Sequence, residues 1–163
     1  MKEIIEKISS YNIFNYLFPG IIFTQVLNTL TPYNLIGDDI VTELFKYYFI
    51  GLVISRFGSI VIEPFLRKTK LLKFADYSDF ISSSKKDPKI DLLSEVNNMY
   101  RTILSAIVLL FLSKLWNIIE IYYLIDTKIS LLLVVAMVGF LFLFSYVKQT
   151  NYIKKRIDNA KSK

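Results

Sequence analysis

The 163-residue sequence contains no cysteine and no histidine. Without cysteine there are no disulfides, no thiol nucleophile and no thiolate ligands for zinc. Without histidine the sequence also lacks the most frequent general base of enzymes and the most frequent metal ligand. No combination of nucleophile, base and metal ligands can be assembled from the remaining residues. We therefore expect a protein that is not an enzyme and that holds no cofactor or metal ion.

Polar residues are scarce for so short a chain. Hydrophobic residues make up 53% of the sequence and aromatic residues 15%, and the mean hydropathy is +0.43. A soluble fold of this length has no interior large enough for so much apolar surface. The composition therefore indicates an integral membrane protein.

Four apolar stretches are long enough to cross a hydrocarbon core about 30 Å thick. They cover approximately residues 12–30, 44–62, 102–119 and 129–147. The fourth stretch contains no charged residue, whereas a helix of a soluble protein normally has a polar stripe. No small-x-small cleavage pattern precedes the first stretch, so we expect it to be retained, with a kink near Phe18 caused by Pro19-Gly20. The sequence predicts one all-α membrane domain over residues 1–163.

The distribution of charge predicts the orientation of these helices. The 20 lysines and arginines outnumber the 14 acidic residues, and they concentrate between the second and third stretches and in the tail over residues 148–163. The other two connections carry mainly acidic residues, namely Asp38, Asp39, Glu43, Glu120 and Asp126. Cytoplasmic loops are enriched in basic residues, so both termini are predicted in the cytoplasm of a bacterial inner membrane. Direct nucleic-acid binding is not expected, because the basic residues follow no recognition motif.

Residues 64–100 form the one sizeable segment outside the predicted spans. An amphipathic helix is expected over residues 71–81, a break over residues 82–88, and a second helix from Asp91 that continues into the third span. The hairpin thus consists of two helical extensions joined by a turn. The residues expected to contact lipid or a cytosolic protein partner are Phe74, Phe80, Lys85, Lys86 and Lys89.

Charged residues inside a membrane are costly and are therefore candidates for function. Arg56, Ser59 and Glu63 recur at i, i+3 and i+7, which places them on one helix face. Two interpretations remain open: a pore lining or polar coupling point, and a structural bond between helices with the Arg56 side chain extending toward the headgroups. Nearby Gly51 and Gly58 permit close approach of another helix.

A second polar set leads into the third span. Glu95, Asn98 and Arg101 recur at helical spacing just before the apolar stretch. They represent either a solvated start of the helix or an interface with a partner or another copy of the chain. A homo-oligomer is predicted by the two glycines together with four polar residues that one monomer can hardly cover, namely Arg56, Ser59, Gln25 and Asn28.

Several motifs together resemble a known family. They are Tyr11-Asn-Ile-Phe-Asn-Tyr-Leu-Phe-Pro-Gly20, Ser55-Arg-Phe-Gly-Ser59 with Glu63-Pro64, Lys85-Lys-Asp-Pro-Lys89 and Asn97-Asn-Met-Tyr-Arg101. This pattern resembles the small four-helix membrane subunits of the Kiwa anti-phage defence system. The resemblance implies a homo-oligomer, with a tetramer favoured, that senses phage-induced disturbance of the inner membrane. It also implies a cytosolic DNA-binding partner and makes the hairpin the expected docking surface, and it carries over no catalytic residue.

Two classes of function follow from these observations. The first is a membrane sensor or scaffold that couples to a cytosolic effector, and the second is a small oligomeric pore that depolarises the membrane. Polar residues are too sparse to line a continuous pore in one monomer, which favours the scaffold.

Overall fold

The computed structural model describes residues 10–37 and 39–161, which contain helices and no strand. The predictions for residues 1–9, Asp38 and Lys163 lie outside these ranges. The helices are α1 (Ile13–Leu30, preceded by the turn Ser10–Asn12), α2 (Ile40–Lys68), α3 (Tyr77–Ser84), α4 (Lys89–Tyr122) and α5 (Thr127–Lys161). By length and composition, α1, α2, α4 and α5 are long and apolar enough to cross a membrane. The prediction of an all-helical chain with four such helices is confirmed.

Three of these helices are longer than the apolar stretches that predicted them. At about 1.5 Å per residue, the 35 residues of α5 extend over about 52 Å, well beyond a hydrocarbon core. α2 begins at Ile40, because the Asp39 carboxylate accepts hydrogen bonds from the backbone N–H and the hydroxyl of Thr42. These bonds lower the pKa of Asp39, the hydroxyl bond contributing most. Glu43, expected in a loop, is therefore a buried residue of α2.

The four long helices run alternately up and down, and α2 is central among them. It contacts α1, α4 and α5, whereas α5 contacts chiefly α2. The connection between α2 and α4, which includes α3, lies at one end, here called the hairpin end. The connection after α1, described over residues 31–37 and at Asp39, and the connection over residues 123–126 lie at the other end, here called the opposite end.

The interior of the bundle holds many polar side chains beside its apolar core, and its surface is largely apolar. Fully buried side chains include Asn15, Thr24, Ser55, Thr102 and Ser105, together with Ile54. Large apolar side chains cover the outside, and Phe111, for example, is 69% exposed. Soluble proteins show the reverse arrangement, while small and hydroxyl-bearing residues between helices are typical of membrane bundles.

Two glycines bring the backbones of α1 and α2 into contact. A Cβ atom on Gly51 would lie 1.7 Å from the carbonyl oxygen of Tyr16, and one on Gly20 would lie 1.9 Å from that of Tyr47. Gly58 similarly faces Ser105 of α4. The close approach expected at Gly51 and Gly58 therefore occurs between helices of the same chain. These two glycines give no support for contact with a second copy.

Both prolines inside long helices follow a π-helical turn. These turns are Ile13–Leu17 before Pro19 and Gly58–Ile62 before Pro64. A proline ring clashes with the carbonyl four residues earlier, and the wider π-helical turn relieves that clash. The disturbance expected near Phe18 takes this form, and α2 continues past Glu63-Pro64, where the second span was expected to end.

The hairpin differs from its prediction in its first half. Lys70 adopts a left-handed conformation with φ 62°, and the Leu71 N–H bonds to the Leu66 carbonyl, which ends α2. Residues 71–76 are consequently irregular, and the helix expected over residues 71–81 begins only at Tyr77. The second half is as predicted, because α4 runs without a break from the hairpin into the apolar stretch.

Candidate functional site

Glu63 connects three long helices at the hairpin end. Its carboxylate lies 2.6 Å from Arg101 Nη1 of α4 and 3.2 Å from Lys148 Nζ of α5. The Glu63 side chain is only 10% exposed, so solvent screens these ion pairs weakly. Arg101 immediately precedes the third predicted span, and Lys148 immediately follows the fourth. The Glu63 carboxylate therefore fixes the relative positions of α2, α4 and α5 at one level.

The π-helical turn of α2 creates the binding position for Lys148. The Glu63 N–H bonds to the Gly58 carbonyl instead of the Ser59 carbonyl, and Pro64 has no N–H to offer. The Ser59 carbonyl accepts a 2.8 Å hydrogen bond from Lys148 Nζ, which also donates to Ser59 Oγ at 2.8 Å. With Glu63, these acceptors use all three ammonium protons.

Arg56 lies about two turns deeper along α2 than Glu63. Its guanidinium is half-buried and reaches the hydroxyl of Tyr16 in α1 at 3.5 Å, while its buried Nε has no hydrogen-bond partner among the described residues. Arg56, Arg101 and Lys148 supply three positive charges against the single carboxylate of Glu63. The site as a whole is therefore positively charged.

A neutral hydrogen-bond network adjoins this charged group. Asn15 of α1 is 1% exposed, and its Oδ1 accepts a 2.9 Å hydrogen bond from the hydroxyl of Thr102 in α4. The Asn15 amide donates to the hydroxyl of Tyr11 at 3.2 Å and to that of Ser55 at 3.5 Å. The Asn98 amide reaches the same Tyr11 hydroxyl at 3.4 Å. These bonds join α1 and the turn before it to α2 and α4.

The structure separates the predicted site residues into two groups. Arg56, Ser59, Glu63, Asn98 and Arg101 lie together, and their contacts are made within the chain. The others lie apart in the hairpin or at its edge: exposed Glu95, Lys85, Lys86 and Lys89, half-buried Phe80, and Phe74, whose ring lies 5.0 Å below the Arg67 guanidinium. The expected interface roles of both groups stay predictions.

A second polar cluster lies at the opposite end. The carboxylate of Glu120 in α4, 9% exposed, accepts hydrogen bonds from the hydroxyls of Tyr33 and Ser130. Burial, and after it the bond to Glu120, raises the pKa of Tyr33 to about 12. The Trp116 indole N–H completes the cluster by donating to Ser130 at 3.1 Å. Within the described residues, Phe23, Leu27, Ile54 and Leu109 form an apolar layer of the core.

The sequence did not indicate the structural roles of Lys148 and Glu120. Each was counted only as a loop or tail charge, since both adjoin the end of an apolar stretch. Pro64 gave the available signal for Lys148, because a proline inside a helix leaves a carbonyl that needs a donor. Nothing in the sequence indicates that the donor comes from α5.

Metal-ligating residues do not cluster anywhere in residues 10–37 and 39–161. Comparison with family models, curated proteins and solved structures finds no match to this chain. The resemblance to the Kiwa membrane subunits therefore rests on the sequence motifs alone.

Proposed function

We propose that this protein is a membrane-embedded sensor and scaffold of a bacterial anti-phage defence system. It crosses the inner membrane four times with both termini in the cytoplasm, assembles as a homo-oligomer, and couples to a cytosolic effector. The four apolar helices, the polar interior and the apolar exterior support the membrane location. The defence role comes from the motif resemblance.

The Glu63 ion pairs are the observation that carries the scaffold proposal. They hold the hairpin ends of α2, α4 and α5 together, and the hairpin leaves α2 five residues later at Lys68. α4 returns from the hairpin as one continuous helix that contains Arg101. A change in the tilt of these helices, caused by stress in the membrane, therefore moves the hairpin. A cytosolic partner docked on the hairpin would register that movement.

The surface of the hairpin suits such a partner. Lys85, Lys86 and Lys89 are exposed at the turn between α3 and α4. Phe74, which precedes α3 and lies under the Arg67 guanidinium, is 47% exposed. A basic surface with exposed apolar residues favours an acidic protein partner. Salt screens the attraction of the lysines to lipid headgroups beyond a Debye length of about 8 Å, whereas a docked protein keeps its apolar contacts.

The hairpin is tested with charge reversals. One variant replaces Lys85, Lys86 and Lys89 by Glu, and a second replaces Phe74 and Phe80 by Ser. The matched control replaces Lys154, Lys155 and Arg156 by Glu, which makes the same charge change in the tail. We expect the hairpin variants to lose phage protection and recovery of the cytosolic partner, while the control retains both. Protection by both hairpin variants, with their assembly intact, would show that the hairpin is not the output surface.

The orientation is tested separately in this cysteine-free chain. Cysteines introduced at Ser83, in the hairpin, and at Lys128, at the opposite end, are exposed to a thiol reagent that cannot cross membranes. In intact spheroplasts we expect labelling at position 128 only. Labelling at position 83 would reverse the proposed topology.

The alternative function, a small pore, requires several copies of the chain. The apolar layer between the two polar clusters favours the scaffold over a channel through one monomer. Ion flux into vesicles that contain the purified protein distinguishes the alternatives, and the scaffold predicts no flux above that of empty vesicles.

A further inference from the structure

A cavity of about 310 Å³ opens between α2 and α5 at the hairpin end. Its lining residues are Ser59, Ile60, Glu63, Pro64, Arg67 and Lys148. Glu63 and Lys148 directly follow the apolar stretches predicted as the second and fourth spans. Arg67 lies four residues, about 6 Å, further along α2. The cavity is therefore at the depth of lipid headgroups in a bilayer that covers those stretches.

The charges around this cavity favour an anion. Arg67 and Lys148 line it, and the one lining carboxylate, that of Glu63, already faces both Arg101 and Lys148. Lys148 has no free proton, so it attracts an anion by charge alone. The guanidinium of Arg67 is exposed and has no hydrogen-bond acceptor within the described residues, and its observed contact is with the ring of Phe74. Arg67 is thus the available donor, and a phosphate group matches its planar geometry.

The shape of the site favours a lipid over a free ion. Ile60 and Pro64 give the α2 wall an apolar surface, and their neighbours Val61 and Phe65 are exposed apolar residues of the same helix. One turn after Lys148 in α5, Tyr152 stacks on Tyr77 of α3 with ring centroids 6.1 Å apart. An anionic phospholipid can place its phosphate beside Arg67 and its acyl chains along the apolar wall.

We propose that this cavity binds the headgroup of an anionic phospholipid, with Arg67 as the hydrogen-bond donor and Lys148 as a second positive charge. The site is independent of the proposed defence role. Because Arg67 also lies over Phe74, a bound phosphate at the N–H edge and the Phe74 ring at the face would contact the same guanidinium, which connects the lipid site to the hairpin.

The site is tested by native mass spectrometry of the full chain released from nanodiscs of phosphatidylcholine and phosphatidylglycerol. We expect the unchanged protein to retain phosphatidylglycerol preferentially. Arg67→Gln should reduce that retention about tenfold, as expected for a lost charge-assisted hydrogen bond. Lys68→Gln makes the same charge change at an exposed neighbour outside the cavity, and should leave retention within about twofold. Equal retention in both variants would overturn the proposal.

A second pair of variants tests the cavity without altering charge. Ile60→Phe places a phenyl ring at the cavity wall and should displace the lipid, whereas Val61→Phe places the same ring on an exposed face outside the cavity. Inorganic phosphate is then added to nanodiscs of phosphatidylcholine alone. Failure of phosphate to bind supports the lipid as the occupant. Phosphate binding that depends on Arg67 would identify a free-anion site and overturn the lipid assignment.

Discussion

At the scale of single residues, Glu63 determines the charge balance of the hairpin end. Its carboxylate is the one negative group facing Arg101 and Lys148, and all three side chains are largely buried. Removal of one member of a buried ion pair leaves its partner's charge uncompensated, which costs more than the pair itself contributes. Glu63 is therefore the position where a change of a single atom should have the largest effect.

We predict that Glu63→Gln lowers the free energy of unfolding by about 3 kcal/mol, because two buried cations lose their counter-ion while the side-chain shape is kept. The measurement is unfolding by SDS titration in detergent micelles. Glu95→Gln, which makes the same change at an exposed position of α4, is the control and should have little effect.

The same ion pairs should show coupling. The double variant Glu63→Gln/Arg101→Gln should lose less free energy of unfolding than the sum of the losses in the two single variants, because the second substitution removes a cation that the first left unpaired. Additive losses would contradict the described contact between Glu63 and Arg101.

At the scale of helices, the contact of α1 with α2 depends on the absence of side chains. The carbonyl oxygens of Tyr16 and Tyr47 occupy the positions where Cβ atoms of Gly51 and Gly20 would lie. Backbone atoms cannot move aside as the end of a flexible side chain can. Any larger residue must therefore push the two helices apart.

We predict that Gly51→Ala destabilises the protein by about 2 kcal/mol, within the usual range for overpacking. Gly139→Ala in α5 is the matched control, since nothing lies within 4 Å of its added Cβ atom. That control should be neutral or slightly stabilising, because alanine favours helix more than glycine by about 1 kcal/mol. Thermal unfolding in detergent measures both variants, and equal effects would contradict the described α1 and α2 contact.

At the scale of the whole molecule, the proposed homo-oligomer requires a surface that can meet another copy. The sequence offered Arg56, Ser59, Gln25 and Asn28 as polar groups that one monomer could not cover. Three of these find partners within the chain: Arg56 with Tyr16, Ser59 with Lys148, and Asn28 with Asn34. Gln25 is exposed on α1, and its amide makes no hydrogen bond with the described residues.

We predict that the homo-oligomer forms through the α1 face that carries Gln25, with Phe18 and Ile22 exposed beside it. An amide exposed to lipid gains from pairing with another copy, and such bonds contribute about 1 kcal/mol in membranes. Gln25→Leu should weaken self-association in nanodiscs, measured by energy transfer between labelled copies. Gln149→Leu is the control, because it makes the same change outside the apolar stretch of α5. Self-association unchanged by Gln25→Leu would exclude this face.

The hydrophobic pattern alone predicted the four long helices. A helix that crosses lipid needs about 20 largely apolar residues, so residues 129–147 could be recognised without any tertiary contact. The continuation of α4 from the hairpin was also predictable, because helical spacing persists from Asp91 onward. The start of α3 was not, since the left-handed Lys70 and the irregular segment after it follow from how α2 ends.

Local sequence therefore determined the four apolar helical stretches and which face of α2 is polar. Only the tertiary structure decided which charges meet. Lys148 and Glu63 are 85 residues apart, and they come together because the π-helical turn before Pro64 leaves the Ser59 carbonyl open toward α5. Hydrophobicity depends on one residue and its close neighbours along the chain. A hydrogen bond or ion pair between helices depends on the rotation and height of both helices, which the packing of small residues such as Gly51 and Gly58 determines.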